Sequence, residues 1–246
     1  MIRRLLFLGL FISAVILYAF RGNSTFDNWR GSGVRGSGVE RTETRELRSF
    51  KSVDVGGAFD VEIIAGAKKH SIEISGDDNV LEYIETQVES GVLRITTKKF
   101  LFPKAHLRLR VSAEMLTSLS SSGTSDVALS GIDNEQFTLE TSGAGSVRGT
   151  ITTKDLRIET SGAGDVHLGG TTKTLAIETS GAADIDASEL TADNVRVVVS
   201  GAGDVNVHAK NELDVSVSGA GDIRYSGNPT IINKDISGVG SVHKKE

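Results

Sequence analysis

Hydrophobic and polar residues alternate strictly along the second half of this chain. In the segment 156–168 the even-numbered positions are Leu, Ile, Thr, Gly, Gly, Val and Leu, whereas the odd-numbered positions are Arg, Glu, Ser, Ala, Asp and His. A period of two predicts β-strands with one buried face. Recurrent Gly and β-branched residues exclude a helix. The glycines separate two short strands and predict tight bends at which a Cβ would be unfavourable.

The motif Ser-Gly-Ala-Gly-Asp-Val, or a close relative of it, recurs seven times at an almost constant interval. The Ser-Gly pairs begin at Ser122, Ser142, Ser161, Ser180, Ser200, Ser218 and Ser237. Their separations are 20, 19, 19, 20, 18 and 19 residues. Such a period is too short for a strand, a crossover helix and a return strand. It predicts an all-β fold, a single-stranded parallel β-helix (solenoid) with coils of about 19 residues.

This fold requires like residues to stack from one coil to the next. The aliphatic residue after each Asp position is therefore predicted to belong to one buried column: Val127, Val147, Val166, Ile185, Val205, Ile223 and Val242. A coil of this size encloses a narrow core. The two aromatic residues after position 110, Phe137 and Tyr225, agree with that expectation.

The N-terminal 21 residues have the pattern of an export segment. Arg3 and Arg4 precede an apolar run from Leu5 to Phe20. A basic start followed by an apolar core is typical of a secretory signal. Residues 1–21 are thus predicted to form a hydrophobic helix, either a cleaved signal peptide or an uncleaved signal anchor. If it is uncleaved, residues 5–20 would tether the protein to a membrane.

Two regions of different regularity follow. Residues 22–48 are rich in Gly, Ser and Arg and are predicted to be a flexible linker. Residues 49–246 are predicted to form the β-helix domain, with less regular capping coils in 49–115 and regular repeats in 116–246. The segment Val55–Val61 is a degenerate copy of the repeat with Phe59 at the second glycine position. Larger side chains suit a cap: Phe50, Phe59, Leu81, Tyr83 and Ile84.

Composition narrows the possible partners. The chain of 246 residues contains no Cys, which excludes disulfides and thiolate metal sites. Residues 52–246 carry 18 Lys and Arg against 28 Asp and Glu, a balance of -10. Nucleic-acid binding needs a basic surface, so we expect no nucleic-acid partner. No cofactor motif is present, because the Gly-Ala-Gly segments lack the following helix that a dinucleotide site requires.

Three segments together resemble one bacterial family. They are Ser49–Val55 running into Gly57–Ile63, then Asn79-Val80-Leu81 with Ile84–Ile95, and finally the Ser-Gly-Ala-Gly-Asp-Val array. The chain resembles the putative auto-transporter adhesins with a head GIN domain over about residues 49–242. The resemblance implies a β-helix-like, exported, adhesin-related domain of Gram-negative cells, with no catalytic residues to carry over.

Acidic residues supply the candidate chemistry. One repeat position holds the weak binding candidates Asp126, Asp165, Asp184, Asp204 and Asp222. Stacked carboxylates repel one another, so they would either collect a hard cation such as Ca²⁺ or cap their own turns by accepting backbone hydrogen bonds. A shorter column, Glu140, Glu159 and Glu178, could pair with Asp as an acid and a base. Their repetition on every coil favours a surface over a catalytic pocket, and no metal site is predicted.

The sequence therefore predicts an exported, non-catalytic β-helix module that binds a surface protein or a glycan at the cell envelope. It would be periplasmic, membrane-anchored or on the cell surface. Ladders of small polar side chains would contact the ligand. Two alternatives stay open: a polysaccharide-active β-helix enzyme, and a structural spacer that self-associates through the edges of the solenoid.

Overall fold

The computed structural model describes residues 33–245, and these residues form a parallel β-solenoid. The first ten strands precede or open the regular repeats: β1 Val34–Arg35, β2 Glu40–Glu46, β3 Ser52–Val55, β4 Asp60–Ala65, β5 Ser71–Asp77, β6 Ile84–Glu89, β7 Val92–Thr97, β8 Leu101–Phe102, β9 Arg108–Ala113 and β10 Ser118–Ser121. A single 3₁₀ turn, Leu81–Tyr83, precedes β6. The repeats contain β11 Asp126–Thr141, β12 Val147–Thr160, β13 Val166–Thr179, β14 Ile185–Val199, β15 Val205–Val217, β16 Ile223–Ser226, β17 Ile231–Ile236 and β18 Val242–Lys244.

The predicted aliphatic column is confirmed by the strand register. Val127 pairs with Val147, Val147 with Val166, and the pairing continues through every predicted member to Val242. The six members from Val127 to Ile223 are at most 1% exposed. The same column extends toward the N-terminus through Val61 and Leu109. Side chains that alternate along each strand thus place one apolar residue per coil at the same point of the core.

Close approach between neighbouring coils explains the first glycine of each motif. A Cβ on Gly162 would lie 1.9 Å from the carbonyl oxygen of Gly143, and one on Gly181 would lie 1.9 Å from that of Gly162. Neither residue has a positive φ. The corner therefore requires glycine because the backbone of the preceding coil occupies the space of a side chain, not because the turn needs a left-handed residue.

The N-terminal coils do not follow one another in sequence. Strand β3 lies between β7 and β10, and β4 lies between β9 and β11, all in parallel. The coil containing residues 52–65 is therefore inserted between a coil from residues 92–113 and the first regular repeat. Phe59 occupies the predicted corner position, because Asp60 and Val61 pair with Asp126 and Val127.

Antiparallel strands cover the N-terminal end of the solenoid. β6 pairs with β7, β5 pairs with β9, and β2 pairs with β5, each antiparallel. Leu81 and Ile84 are both 2% exposed in this cap, as predicted, and Phe50 is 1% exposed beside it. A parallel coil cannot stack on an antiparallel strand in the same register, so this end is closed to another coil.

The structure corrects one predicted boundary. Residues 40–46 were expected to lie in the flexible linker, yet they form β2. The prediction failed because Glu40-Arg41-Thr42-Glu43-Thr44-Arg45-Glu46 contains no apolar residue, and β2 is an edge strand that buries little. Arg45 anchors it by donating to the carbonyl oxygens of Ile84 (2.7 Å) and Leu81 (3.2 Å).

The predicted N-terminal signal or anchor helix lies outside the described residues, as do residues 22–32 of the predicted linker. Within residues 33–245, no helix is long and apolar enough to cross a membrane. The folded unit begins at Gly33, sixteen residues before the predicted start at position 49.

The C-terminal end of the solenoid ends without an antiparallel cap in the described residues. All six residues of β17 are exposed, including Ile232 and Ile236. Lys234 occupies the core column that Val215 occupies one coil earlier. Its ammonium lies 5.4 Å from the centre of the Tyr225 ring and donates to the carbonyl oxygen of Val242 at 3.3 Å. A charged side chain thus closes the apolar column at this end.

Candidate functional site: the polar corner of the solenoid

The predicted Asp column lies at the corner between the glycine-rich turn and the next strand. Asp126, Asp165 and Asp184 are exposed, and Asp204 and Asp222 are half-buried. The residue that follows each Asp enters the buried aliphatic column, so alternation directs the Asp side chain outward. The structure therefore brings the five predicted residues together along one edge, one per coil, interrupted by Ser146.

Four of the five carboxylates, those other than Asp165, bind the backbone of the next coil and not their own turn. Oδ1 of Asp184 accepts a hydrogen bond from the backbone N–H of Asp204 at 3.0 Å, and Oδ1 of Asp204 accepts one from the N–H of Asp222 at 3.0 Å. Asp126 accepts from the N–H of Ser146 in the same way at 3.0 Å. Each bond therefore ties two coils together where the backbone ladder turns the corner. The expectation that each Asp caps its own turn is therefore wrong for these residues.

Serine hydroxyls complete the ladder at two positions. Oγ of Ser146 donates to Asp126 at 2.7 Å, and Oγ of Ser241 donates to Asp222. The hydroxyl of Ser146, with its N–H and the charge of Arg148, lowers the pKa of Asp126 below its usual value. The hydroxyl of Ser241 likewise lowers the pKa of Asp222. Hydrogen bonds to the ionised form stabilise that form, so both carboxyls stay charged at neutral pH.

The Asp column does not gather into a cluster of metal ligands. In the part of the chain that the structure describes, no three His, Cys, Asp or Glu side chains come together as a metal site would require. Four of the five carboxylates, Asp126, Asp184, Asp204 and Asp222, already accept a hydrogen bond from the following coil. Asp165 makes no side-chain hydrogen bond among the described residues. Cation binding by this column remains an untested prediction.

A shallow groove runs across four coils on the other side of the Ser-Gly pairs. Its volume is about 350 Å³. Three consecutive residues of each coil line it, and they form three rows across the coils. The rows are Glu140, Glu159 and Glu178; Thr141, Thr160 and Thr179; and Ser142, Ser161, Ser180 and Ser200, with Ser120 and Val198 at the ends. Register pairing places each Glu and each Thr directly beside its counterpart, and a Ser follows the Thr of each coil.

One arginine binds two carboxylates of the groove. Arg157 pairs with Glu159 on its own strand and with Glu178 on the next coil at 3.1 Å. The hydrogen bond that Arg157 donates to Glu159, with the charges of Glu159 and Glu178, raises the pKa of Arg157 above its usual value. Glu140 remains without an ion pair among the described residues. The groove therefore offers hydroxyls and carboxylates at a repeat of about 4.8 Å, partly neutralised at its centre.

The carboxyl groups whose pKa is shifted all favour the ionised form. A glycoside hydrolase of the common type needs one carboxyl group that is kept protonated by a raised pKa. Every described carboxyl group with a shifted pKa is shifted downward: Asp77, Asp126, Asp186 and Asp222. Glu159, moreover, forms an ion pair with Arg157. The arrangement suits contact with a polar ligand better than proton transfer.

Comparison with known families places the fold. The family model described as putative auto-transporter adhesin, head GIN domain, matches residues 49–229. The chain belongs to this family. The match confirms the resemblance noted in the three sequence segments, and the head GIN domain here is an adhesin-like β-solenoid. Among curated proteins, none matches the chain.

Solved structures share the head GIN architecture. A putative adhesin from Bacteroides fragilis NCTC 9343 is 27% identical, with a TM-score of 0.82 over 87% of this chain and 100% of that one. A putative lipid binding protein from Parabacteroides distasonis ATCC 8503 is 22% identical, with a TM-score of 0.72 over the same shares. A putative adhesin from Parabacteroides merdae ATCC 43184 is 18% identical, with a TM-score of 0.67 over 87% and 100%. The last two show a common fold alone.

Sequence reasoning found the Ser and Glu rows of the head GIN domain but missed the threonine row and Arg157. Thr141, Thr160 and Thr179 are 7%, 3% and 2% exposed, so they face the core although they border the groove. A polar residue at an apolar position of the alternation is the signal that could have revealed them. An arginine recurs at the Arg157 position only two coils later, as Arg196, so periodicity gives little signal for it.

Proposed function

We propose that this chain is an exported, non-catalytic binding module that presents the Glu and Ser rows of the groove to an extended polar ligand at the cell envelope. The single observation that carries this proposal is the register of the rows. Three successive coils repeat Glu, Thr and Ser in the same order along one groove. A ligand with regularly spaced hydroxyl or amino groups can contact the same side chains on each coil.

The chemistry of the groove favours a hydroxyl-rich chain such as a glycan. Serine hydroxyls donate and accept hydrogen bonds, and carboxylates accept them. Trp and Tyr, which stack on sugar rings, do not line the groove. Recognition would therefore rest on polar contacts distributed over several coils, as in an adhesin that gains avidity from repeated weak contacts. Family membership supports the adhesin-like assignment and an exported or surface location.

Bulky substitutions in the groove test the proposal. We expect Ser161→Arg with Ser180→Arg to abolish binding of the full chain to a glycan array, because both side chains would fill the groove. Thr174→Arg is the matched control, since Thr174 is exposed on the same strands and does not line the groove. The proposal fails if the control reduces binding as much as the groove variant, or if no glycan on the array is retained.

A second measurement separates binding from catalysis. Reducing-end release is measured on every arrayed glycan that the chain retains. Retention without release supports a binding module. Release that disappears in Glu159→Gln would instead identify a polysaccharide-active enzyme and overturn the proposal.

A further inference from the structure

The corner between β7 and β9 is longer than any equivalent corner of the paired coils. Twelve residues (96–107) separate Ile95 from Arg108, whereas four (56–59) separate their partners Val55 and Asp60 in the adjacent coil. Four residues are thus enough to turn this corner. The eight additional residues are not needed to turn the corner, and long insertions in a compact scaffold commonly carry function.

The inserted residues combine exposed aromatic and basic side chains. Phe100 is 64% exposed and Phe102 is 56% exposed, although large apolar residues are usually buried. They lie in the sequence Lys98-Lys99-Phe100-Leu101-Phe102-Pro103-Lys104, which contains three lysines and no acidic residue. We name residues 98–104 the basic-aromatic loop. Val39, which is 60% exposed, belongs to the segment that contacts this loop through Gly38 and Lys104.

The loop is held in a defined shape. Oδ2 of the buried Asp77 accepts hydrogen bonds from the backbone N–H groups of Lys104 (2.8 Å) and Ala105 (3.0 Å). The backbone N–H groups of Val34 and Gly36 donate to the carbonyl oxygens of Phe100 (2.9 Å) and Phe102 (3.0 Å). The exposure of the two phenylalanines is therefore imposed by a hydrogen-bonded scaffold.

Charge distinguishes this loop from the rest of the domain. Lys98 pairs with Glu85 at 3.2 Å, and Lys104 faces the charge of Asp77. The ammonium of Lys99 lies 4.7 Å from the centre of the Tyr83 ring and forms no ion pair with a described carboxylate. Nearby Asp78 is bonded to the hydroxyl of Ser37. Residues 52–246 have a balance of -10, so a local excess of lysine marks a surface suited to an anionic partner.

We propose that the basic-aromatic loop docks on an anionic lipid bilayer, with the phenylalanine rings at the level of the headgroups and the lysines against lipid phosphates. Aromatic rings prefer this interface, and lysines next to it are attracted by anionic lipids. Chain continuity favours a bilayer over other anionic partners. Only thirteen residues (21–33) separate β1, which is hydrogen-bonded to this loop, from the apolar run at residues 5–20.

A fluorescent reporter in the full chain tests the proposal. The single Trp of the chain, Trp29, is replaced by Phe, and a new Trp is placed by Phe102→Trp in the loop or by Val239→Trp at the opposite end of the solenoid. Val239 is 90% exposed and provides the matched control. Each chain is mixed with vesicles of phosphatidylcholine and phosphatidylglycerol that carry brominated acyl chains, which quench Trp at short range.

We expect the Phe102→Trp reporter to lose about half of its emission and to shift to shorter wavelength, while the Val239→Trp reporter remains unchanged. The double variant Lys99→Glu with Lys104→Glu should need at least about ten times more lipid to reach half of the maximal quenching. Each lysine strengthens binding to an anionic surface about fivefold. Vesicles without phosphatidylglycerol should give the same weakening. Equal quenching of both reporters, or none in the loop, overturns the proposal. A blue shift of the loop reporter that grows with protein concentration without vesicles would indicate a second copy of the chain instead.

Discussion

The carboxylate of Asp204 accepts a hydrogen bond from the backbone N–H of Asp222, the residue at the same position one coil later, at 3.0 Å. Its second oxygen accepts from Arg224 at 3.1 Å. Two residues from the following coil thus converge on one side chain. The Asp column contributes to cohesion between coils through such contacts, and this role is independent of any ligand.

Replacing Asp204 should therefore destabilise the fold. We expect Asp204→Ala to lower the free energy of unfolding by about 1 kcal/mol, because the N–H of Asp222 loses its acceptor. Asp165→Ala is the control and should have no measurable effect, since Asp165 makes no side-chain hydrogen bond among the described residues. Thermal unfolding followed by circular dichroism measures both. Equal melting temperatures of the two variants would contradict the structural role.

Adding one methyl group at the glycine corner should be severe. In Gly162→Ala the new Cβ would lie 1.9 Å from the carbonyl oxygen of Gly143, so the coils must separate. We expect a loss of about 3 kcal/mol, typical of overpacking, and a melting temperature lower by roughly 6–12 °C. Gly169→Ala is the control, because its Cβ would have 3.5 Å to the nearest atom. An unchanged melting temperature of Gly162→Ala would show that the spacing between coils can increase to accommodate the methyl group.

Replacing a threonine of the threonine row by valine should stabilise the fold. Oγ1 of Thr160 is buried without a hydrogen-bond partner, and Val199 and Val217 stand at this position in later coils. We expect Thr160→Val to raise the free energy of unfolding by up to about 1 kcal/mol, because an unsatisfied buried hydroxyl is removed without a change of shape. Thr153→Val should instead lower it by about 1 kcal/mol, since the hydroxyl of Thr153 donates to Asn134 at 3.0 Å. Chemical denaturation compares the two variants. A loss in Thr160→Val as large as in Thr153→Val would imply a hidden partner.

Asp77 should make the fold sensitive to acid. Burial alone would raise its pKa, but the backbone N–H groups of Ala105, Gly38 and Lys104 and the charge of Lys104 lower it below the usual value. A carboxyl group with a lowered pKa in the folded state stabilises the fold above its unfolded pKa, about 3.9, and loses that contribution as the pH falls through the folded value.

We accordingly expect Asp77→Asn to lower the melting temperature by several degrees at pH 7 and to melt closer to the unsubstituted chain below pH 3. Melting curves from pH 2 to 7 measure the difference. Asp78→Asn serves as the control, since Asp78 is exposed and bonds only to Ser37. A difference that stays constant over the whole pH range would exclude ionised Asp77 as its source.

The lysine at the open end of the solenoid should prevent end-to-end association. Lys234→Ile would continue the apolar column beyond Val215 and expose a strand edge without an inward charge. We expect light scattering to show dimers or larger species that increase with concentration. Lys173→Ile adds the same side chain to an exposed position on the lateral face and should remain monodisperse. If the Lys234→Ile variant stays monodisperse, Lys234 does not prevent end-to-end association. That result would also argue against a structural spacer that self-associates through the edges of the solenoid.

The sequence by itself determined the repeat, the strands, the buried column from Val127 to Val242 and the outward Asp row. These features follow from local alternation and from a constant period, both of which can be read along the chain. Tertiary structure alone decided that residues 52–65 lie between residues 92–113 and the first repeat. It also placed the all-polar β2 on an edge and oriented the Asp carboxylates toward the next coil. Those outcomes depend on contacts between distant segments, and no period or alternation in the N-terminal third specifies which distant segments pair.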